Sequence, residues 1–164
     1  MTKPVHFTDE QITQIIDILS ELSSKTKIYF GCDSVRIIKN GQKMAKYATV
    51  LVVHKNGSNG CKIFRNISYE PDYEKNISRP RMRLMTEVYK VAELYMQMYP
   101  YIFGYDIEVH LDVNPDEIHG SSCVAKEAAG YILGVTGMEP KLKPDALAAS
   151  FGADGIVHGF HERV

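Results

Sequence analysis

The sequence predicts one α/β domain spanning residues 1–164: a five-stranded mixed sheet flanked by helices, with an additional N-terminal helix. Three antiparallel strands in a meander and two parallel strands make up the expected sheet. Three observations predict it. An amphipathic stripe opens the chain, two glycine-containing turns then divide a run of β-formers into three, and helical and strand patterns alternate from residue 80 onward.

The elements follow in order. Thr8 to Gln11 reads as a capping box ahead of Ile12, Ile15, Ile16, Leu19 and Leu22, which predicts a helix over 9–23. Lys27 to Ile38 is rich in β-formers and ends at Asn40-Gly41, a strong short hairpin signal. Its partner is Met44 to His54, and a second turn through Asn56-Gly57-Ser58-Asn59-Gly60 leads into Lys62 to Tyr69. A long helix follows, capped by Ser78 with Pro80 in its first turn, and is expected to stop near Tyr99 ahead of Pro100. Asp106 to Val113 alternates apolar and polar residues, a strand with two different faces. A shorter helix is expected over Ser121 to Leu133, an edge strand over Met138 to Lys143, and a last helix from Pro144-Asp145 to about Val157.

Composition bounds the class. A chain of 164 residues with 45% hydrophobic and 24% charged residues is long enough to bury its own core. Its apolar runs are far shorter than a membrane span and no signal peptide opens it, so the expectation is a soluble cytoplasmic protein. Cys32, Cys61 and Cys123 are widely spaced, which argues against a disulfide framework or a structural zinc site. The net charge of −1 supplies no global basic field, so any nucleic-acid contact must be local.

Several carboxylates stand where chemistry collects. Asp33 interrupts the first strand between Phe30 and Val35. Aspartate is disfavoured there, and a bound cation, a bulge or a nearby arginine would relieve it. Glu87 falls on the shoulder of the long helix's apolar stripe, while Arg83, Lys90 and Glu93 fall on its polar face. Asp112 ends the fourth strand, sharing its polar face with Glu108 and His110. Asp145 opens the last helix, where it also suits the helix dipole. Asp154 lies nine residues on, about half a turn round, and is the lesser candidate for the same role. Carboxylates without thiolates suit Mg²⁺ or Mn²⁺, and two such ions serve phosphodiester hydrolysis.

The element order, with Asp33 in the first strand, Glu87 on the long helix, Asp112 ending the fourth strand and Asp145 opening the last helix, resembles the ribonuclease H-like superfamily. The segment from Asp145 to Ala148 is similar to the last-helix motif of Holliday-junction resolvases of that fold. More closely, Phe30 to Ser34, Glu108 to Asp112 and Lys143 to Ser150 resemble the YkuK-type branch, over roughly residues 25–157. The resemblance implies that Asp33 and Asp112 lie side by side on neighbouring strands, with Glu87 and Asp145 reaching in from helices. It also implies a metal-dependent nuclease using Asp33, Glu87, Asp112 and Asp145, with Ser34 in support. Such relatives often carry a histidine near the last helix; none occupies that loop here, and His119 and His158 are the candidates to substitute for it.

A nucleic-acid partner draws on Arg79, Arg81 and Arg83 at the start of the long helix, with Lys75 before them. Lys43, Lys46, Lys62 and Arg65 extend the patch, and Tyr69 and Tyr73 offer stacking surfaces. Whether the partner is RNA, DNA or hybrid stays open. A catalytically inactive binding or assembly module is the alternative, and an enzyme acting on a smaller phosphoester is a third reading.

Overall fold

The computed structural model describes residues 5–57, 59–75, 80–116 and 120–143. Thr8 starts the first helix as expected. Its side chain accepts from the Gln11 backbone N–H at 3.2 Å, and the Gln11 side chain accepts from the Thr8 N–H at 3.0 Å, which closes the capping box at the head of α1 (Asp9–Ser20). Gln11 also donates to the Arg65 carbonyl at 3.0 Å, so the cap is tied to the sheet. Thr8→Ala opens this box and is expected to lower stability by about 1 kcal/mol in denaturant unfolding, with an unchanged m-value.

Two long strands follow, β1 (Lys27–Lys39) and β2 (Gln42–His54). They are joined by Asn40 and Gly41 with φ of 52° and 76°. Both turn residues thus lie in the left-handed region that a two-residue hairpin of this twist requires, which is why Asn-Gly stands there. β3 (Cys61–Pro71) completes the antiparallel meander against β2. The β1–β2 register runs without interruption through Asp33 opposite Ala48, so Asp33 sits in a regular ladder and not in a bulge.

The long helix α2 (Arg81–Ile102) starts with Pro80 as its N-cap. It runs through Pro100, beyond the stop expected near Tyr99. Proline removes one backbone donor and crowds the preceding turn, a cost confined to the helix end here, where Phe103 N–H still bonds the Tyr99 carbonyl at 3.0 Å. Ser78, the expected cap, lies outside the described residues.

β4 (Asp106–Val109) pairs in parallel with β1, placing Phe30 level with Val109. Beyond Val109 the expected strand gives way to extended chain. The expected fifth strand is corrected here: the described residues form four strands in the order β3-β2-β1-β4. Residues 141–143 make one parallel bridge, Lys141 to His110, with backbone bonds Leu111 N–H to Lys141 O, Lys141 N–H to Val109 O and Lys143 N–H to Val113 O. Pro140 cannot donate, so regular pairing has little room to extend backward. The helix expected over Ser121 to Leu133 is a short 3₁₀ turn (Gly120–Val124) followed by α3 (Ala125–Thr136). Gly137, with φ of 74°, ends it beyond the expected end at Leu133. The expected last helix lies outside the described residues.

The two sheet faces differ. Ile28, Phe30, Cys32, Tyr47, Leu51 and Val109 face a core shared with α1, α2 and α3. Ala48, Val50 and Val52 form a second cluster on the other face with Tyr29, Val35, Ile63 and Ile67. β2 is therefore buried on both faces, which is why Thr49 to Val53 reads as an almost continuous apolar run.

Candidate functional site

Strand alternation places Ser34 on the same face as Cys32, toward α2, and Asp33 on the other. Asp33 is buried and accepts the Ser34 backbone N–H at 2.8 Å. Asp112 lies three residues beyond Val109, as Asp33 lies three beyond Phe30. Leu111 and Val113 point into the main core, so Asp112 alternates onto the same face as Asp33. The chain thus carries both aspartates past the end of one parallel pairing, the end at which α/β folds gather ligands.

Glu87 arrives from α2 and is 4% exposed. It is a core residue, where periodicity suggested the shoulder of the helix. The Ser34 hydroxyl donates to its Oε2, and Arg83 Nη1 donates to the Ser34 carbonyl and hydroxyl oxygens, both at 3.0 Å. Ser34 is therefore a bridge between a guanidinium and a buried carboxylate. Burial, helped by the negative charge of Asp112, pushes the Glu87 carboxyl up to about 8. The Ser34 bond and the Arg83 and Lys143 charges work against that rise. Glu87 and Asp112 are thus close enough to feel each other.

Positive charge has been recruited to balance them. Lys143 Nζ forms an ion pair with Asp112 Oδ1, a buried oxygen with no hydrogen-bond donor among the described residues other than that ammonium. Lys143 is also the last described residue, two ahead of Asp145 in the chain. Asp145 and Asp154 both lie outside the described residues.

The donor chemistry fits a hard divalent ion: buried carboxylate oxygens, mutually repelling and drawing a cation. The arrangement is incomplete, because no three His, Cys, Asp or Glu side chains among the described residues are grouped to hold a metal. Asp33 accepts the N–H of Ser34, the Ser34 hydroxyl bonds Glu87, and the charge of Asp112 reaches Glu87.

Glu108 and His110, expected on the polar face with Asp112, form a pair of their own. His110 Nε2 lies 2.9 Å from Glu108 Oε2, and the imidazole packs on Tyr29 with ring centroids 4.8 Å apart. Burial lowers the His110 pKa, partly offset by Glu108.

The basic residues scatter. Arg81 pairs with Glu127 of α3 at an exposed site, and Arg83 turns inward to Ser34. Lys46 and Arg65 stand on the second sheet face, opposite Val35 and Val50. Lys43 is exposed near the hairpin end, and Arg79 lies outside the described residues.

Sequence reasoning missed two features. Lys90, assigned to the polar face, is fully buried and meets Glu70 at 3.2 Å, with its ammonium 5.0 Å from the centroid of Tyr47. Glu93, assigned to the same face, accepts the Val5 N–H at 2.9 Å. A signal existed: Glu87, Lys90, Leu94 and Met98 follow one another at three- and four-residue spacing, so the charges continue the apolar stripe. The second is Lys143 as the counterion of Asp112, which has no local signature.

A mixed sheet with one strand added in parallel to an antiparallel meander, and carboxylates gathered past that parallel pairing, defines an α/β protein with an acidic site. A family model described as ribonuclease H-like matches residues 10–157, and the chain belongs to that family. Neither a curated protein nor a solved structure gives a match. Among the described residues no helix is long and apolar enough to cross a membrane.

Proposed function

We propose that the protein is a metal-dependent nuclease, hydrolysing phosphodiester bonds of nucleic acid at the Asp33–Glu87–Asp112 site. One observation carries the reading. In a ribonuclease H-like chain, Glu87 is buried against Ser34 within electrostatic reach of the half-buried Asp112, and Asp112 draws Lys143 as a counterion. Asp33, Glu87 and Asp112 would hold Mg²⁺ or Mn²⁺, with Asp145, or Asp154 in its place, as the further carboxylate. The ions supply Lewis acidity, a water of lowered pKa and charge for the leaving oxygen. Ser34 keeps Glu87 aimed at the site, and Arg83 fixes Ser34 from the opposite side. The motif resemblance further assigns the chain to the YkuK-type branch, and we take it to act in the cytoplasm.

The test is cleavage of labelled single strands, duplexes, RNA–DNA hybrid and a four-way junction with Mg²⁺, Mn²⁺ or chelator. Wild type is expected to cut at least one substrate only with metal, and Asp112→Asn to lose at least about a hundredfold in rate. Cleavage that persists in chelator or in the variant would sink the reading. The second reading, a non-catalytic binding module, is favoured by the Lys143–Asp112 ion pair, which already neutralises one metal ligand. It requires binding without cleavage across the whole panel.

A further inference from the structure

Beside the carboxylate site, on the far side of Arg83, lies a cavity of about 270 Å³ lined by Tyr47, Tyr73, Met82, Arg83 and Thr86, with Glu70 and Asp72 in its wall. Arg83 and Tyr47 connect it to the site: Arg83 holds Ser34, and the Tyr47 hydroxyl feels the charge of Glu87. Two of its lining side chains are large, apolar and open to solvent, Tyr73 at 70% and Met82 at 56% exposure. Leaving both in water has no benefit to the fold, and an aromatic face beside a methionine is a surface for a flat apolar ring.

Asp72 and Tyr73 also wall a second cavity of about 670 Å³, which continues the groove past Arg36, Lys43 and Lys75. The acids of the groove are already engaged. Asp72 pairs with Arg36 and accepts the Glu74 N–H at 3.0 Å, Glu70 pairs with Lys90, and Glu74 accepts the Met82 N–H at 2.6 Å. Lys43 and Lys75 make no ion pair among the described residues. Glu74 keeps its negative charge, and Lys43 and Lys75 together outweigh it, so the groove is net positive. Tyr47 is buried, and Tyr69, outside both cavities, has the Lys39 ammonium over its ring at 4.3 Å, which leaves Tyr73 as the open platform.

We infer that this groove binds an unpaired nucleotide strand, with one base stacked on Tyr73 against Met82 and the backbone phosphates toward Lys43 and Lys75. The inference rests on the nuclease reading for its direction, since the same strand would lead past Arg83 to Asp112. The smaller cavity falls just below the range of about 300–1,000 Å³ usual for small-molecule sites. Its size suits a single base better than a base pair. Stacking on an aromatic ring tolerates any base, so the groove selects for unpaired strand rather than for sequence.

The experiment is fluorescence anisotropy with short RNA and DNA oligonucleotides, single-stranded and duplex, in chelator so that nothing is cut. Wild type is expected to prefer the single strands. Tyr73→Ala is expected to weaken them by about 5- to 100-fold, and Tyr73→Phe to keep the affinity. An abasic position walked along the oligonucleotide is expected to cost wild type a similar factor at one place and to cost Tyr73→Ala nothing there. Met82→Ala is the second variant, and thermal melting checks that each protein is folded. Equal affinity of wild type and Tyr73→Ala for single strands, or equal wild-type affinity for duplex and single strand, overturns the inference. If metal-dependent cleavage nevertheless disappears in Asp112→Asn, the nuclease reading stands without this subsite. If wild type neither binds nor cuts any nucleic acid, both fall.

Discussion

Lys90→Ala is expected to lower stability by about 3–5 kcal/mol, the largest effect of any single change proposed for this chain. The lysine is fully buried, and its partner Glu70 has a side chain only 9% exposed. Removing the ammonium leaves a carboxylate in a low-dielectric place with its main compensation gone, and it also strips a cation from the face of Tyr47. For a domain of this size the loss corresponds to a fall in Tm of roughly 10 °C. The double variant Lys90→Met with Glu70→Gln removes the charge together with its need and is expected to recover most of the loss. Urea unfolding of wild type, Lys90→Met, Glu70→Gln and the double variant gives the coupling energy. A single-variant loss below about 1 kcal/mol would mean that water reaches the pair and that its burial is not what holds α2 to the sheet.

Glu87 carries the second large effect, and its sign is opposite to that of an ordinary salt-bridged carboxylate. Burial, with Asp112 adding to it, raises the folded-state pKa from 4.5 to about 8. The folded protein therefore binds a proton that the unfolded chain releases over that interval. The contribution of Glu87 to stability is fully present below about pH 4.5 and is lost as pH rises toward 8. Across the window the slope from this group approaches roughly 1.4 kcal/mol per pH unit. Glu87→Gln stays neutral throughout, so its stability relative to wild type is expected to climb from pH 5 to pH 8 when measured in chelator. A difference that stays flat over this range would show that the carboxyl is already ionised in the folded state. The same variant is expected to lose cleavage. If Glu87 holds the metal as proposed, Mn²⁺ competes with its proton, and metal affinity is then expected to rise with pH and level off above about 8.

These two residues also show what local pattern conveys. On α2 the three- and four-residue spacing of Glu87, Lys90, Leu94 and Met98 was present in the sequence, yet charged residues on such a stripe read as its boundary. Only the presence of Glu70 on β3 and Ser34 on β1 turns them into core residues, because a buried charge is tolerable only where a partner is waiting. Glu70 stands 20 residues before Lys90 and Ser34 stands 53 before Glu87, separations that helical periodicity does not register.

By itself the sequence determined most of the element order. The Thr8–Gln11 capping box, the Asn40-Gly41 turn, the two-sided apolar run of β2 and the alternation of Asp106 to Val109 are local signals, readable because caps, turns and side-chain periods act within a few residues. It also singled out Asp33 inside a strand, Glu87 on the shoulder of an apolar stripe and Asp112 near the end of a strand. The tertiary structure decided the rest: that the Met138 to Lys143 segment makes one bridge instead of a strand, that Arg83 serves Ser34 rather than solvent, and that Lys143 faces Asp112. Each depends on a partner brought close by folding. The free energy of a charge is set by what surrounds it, and the chain carries that information only once it is folded.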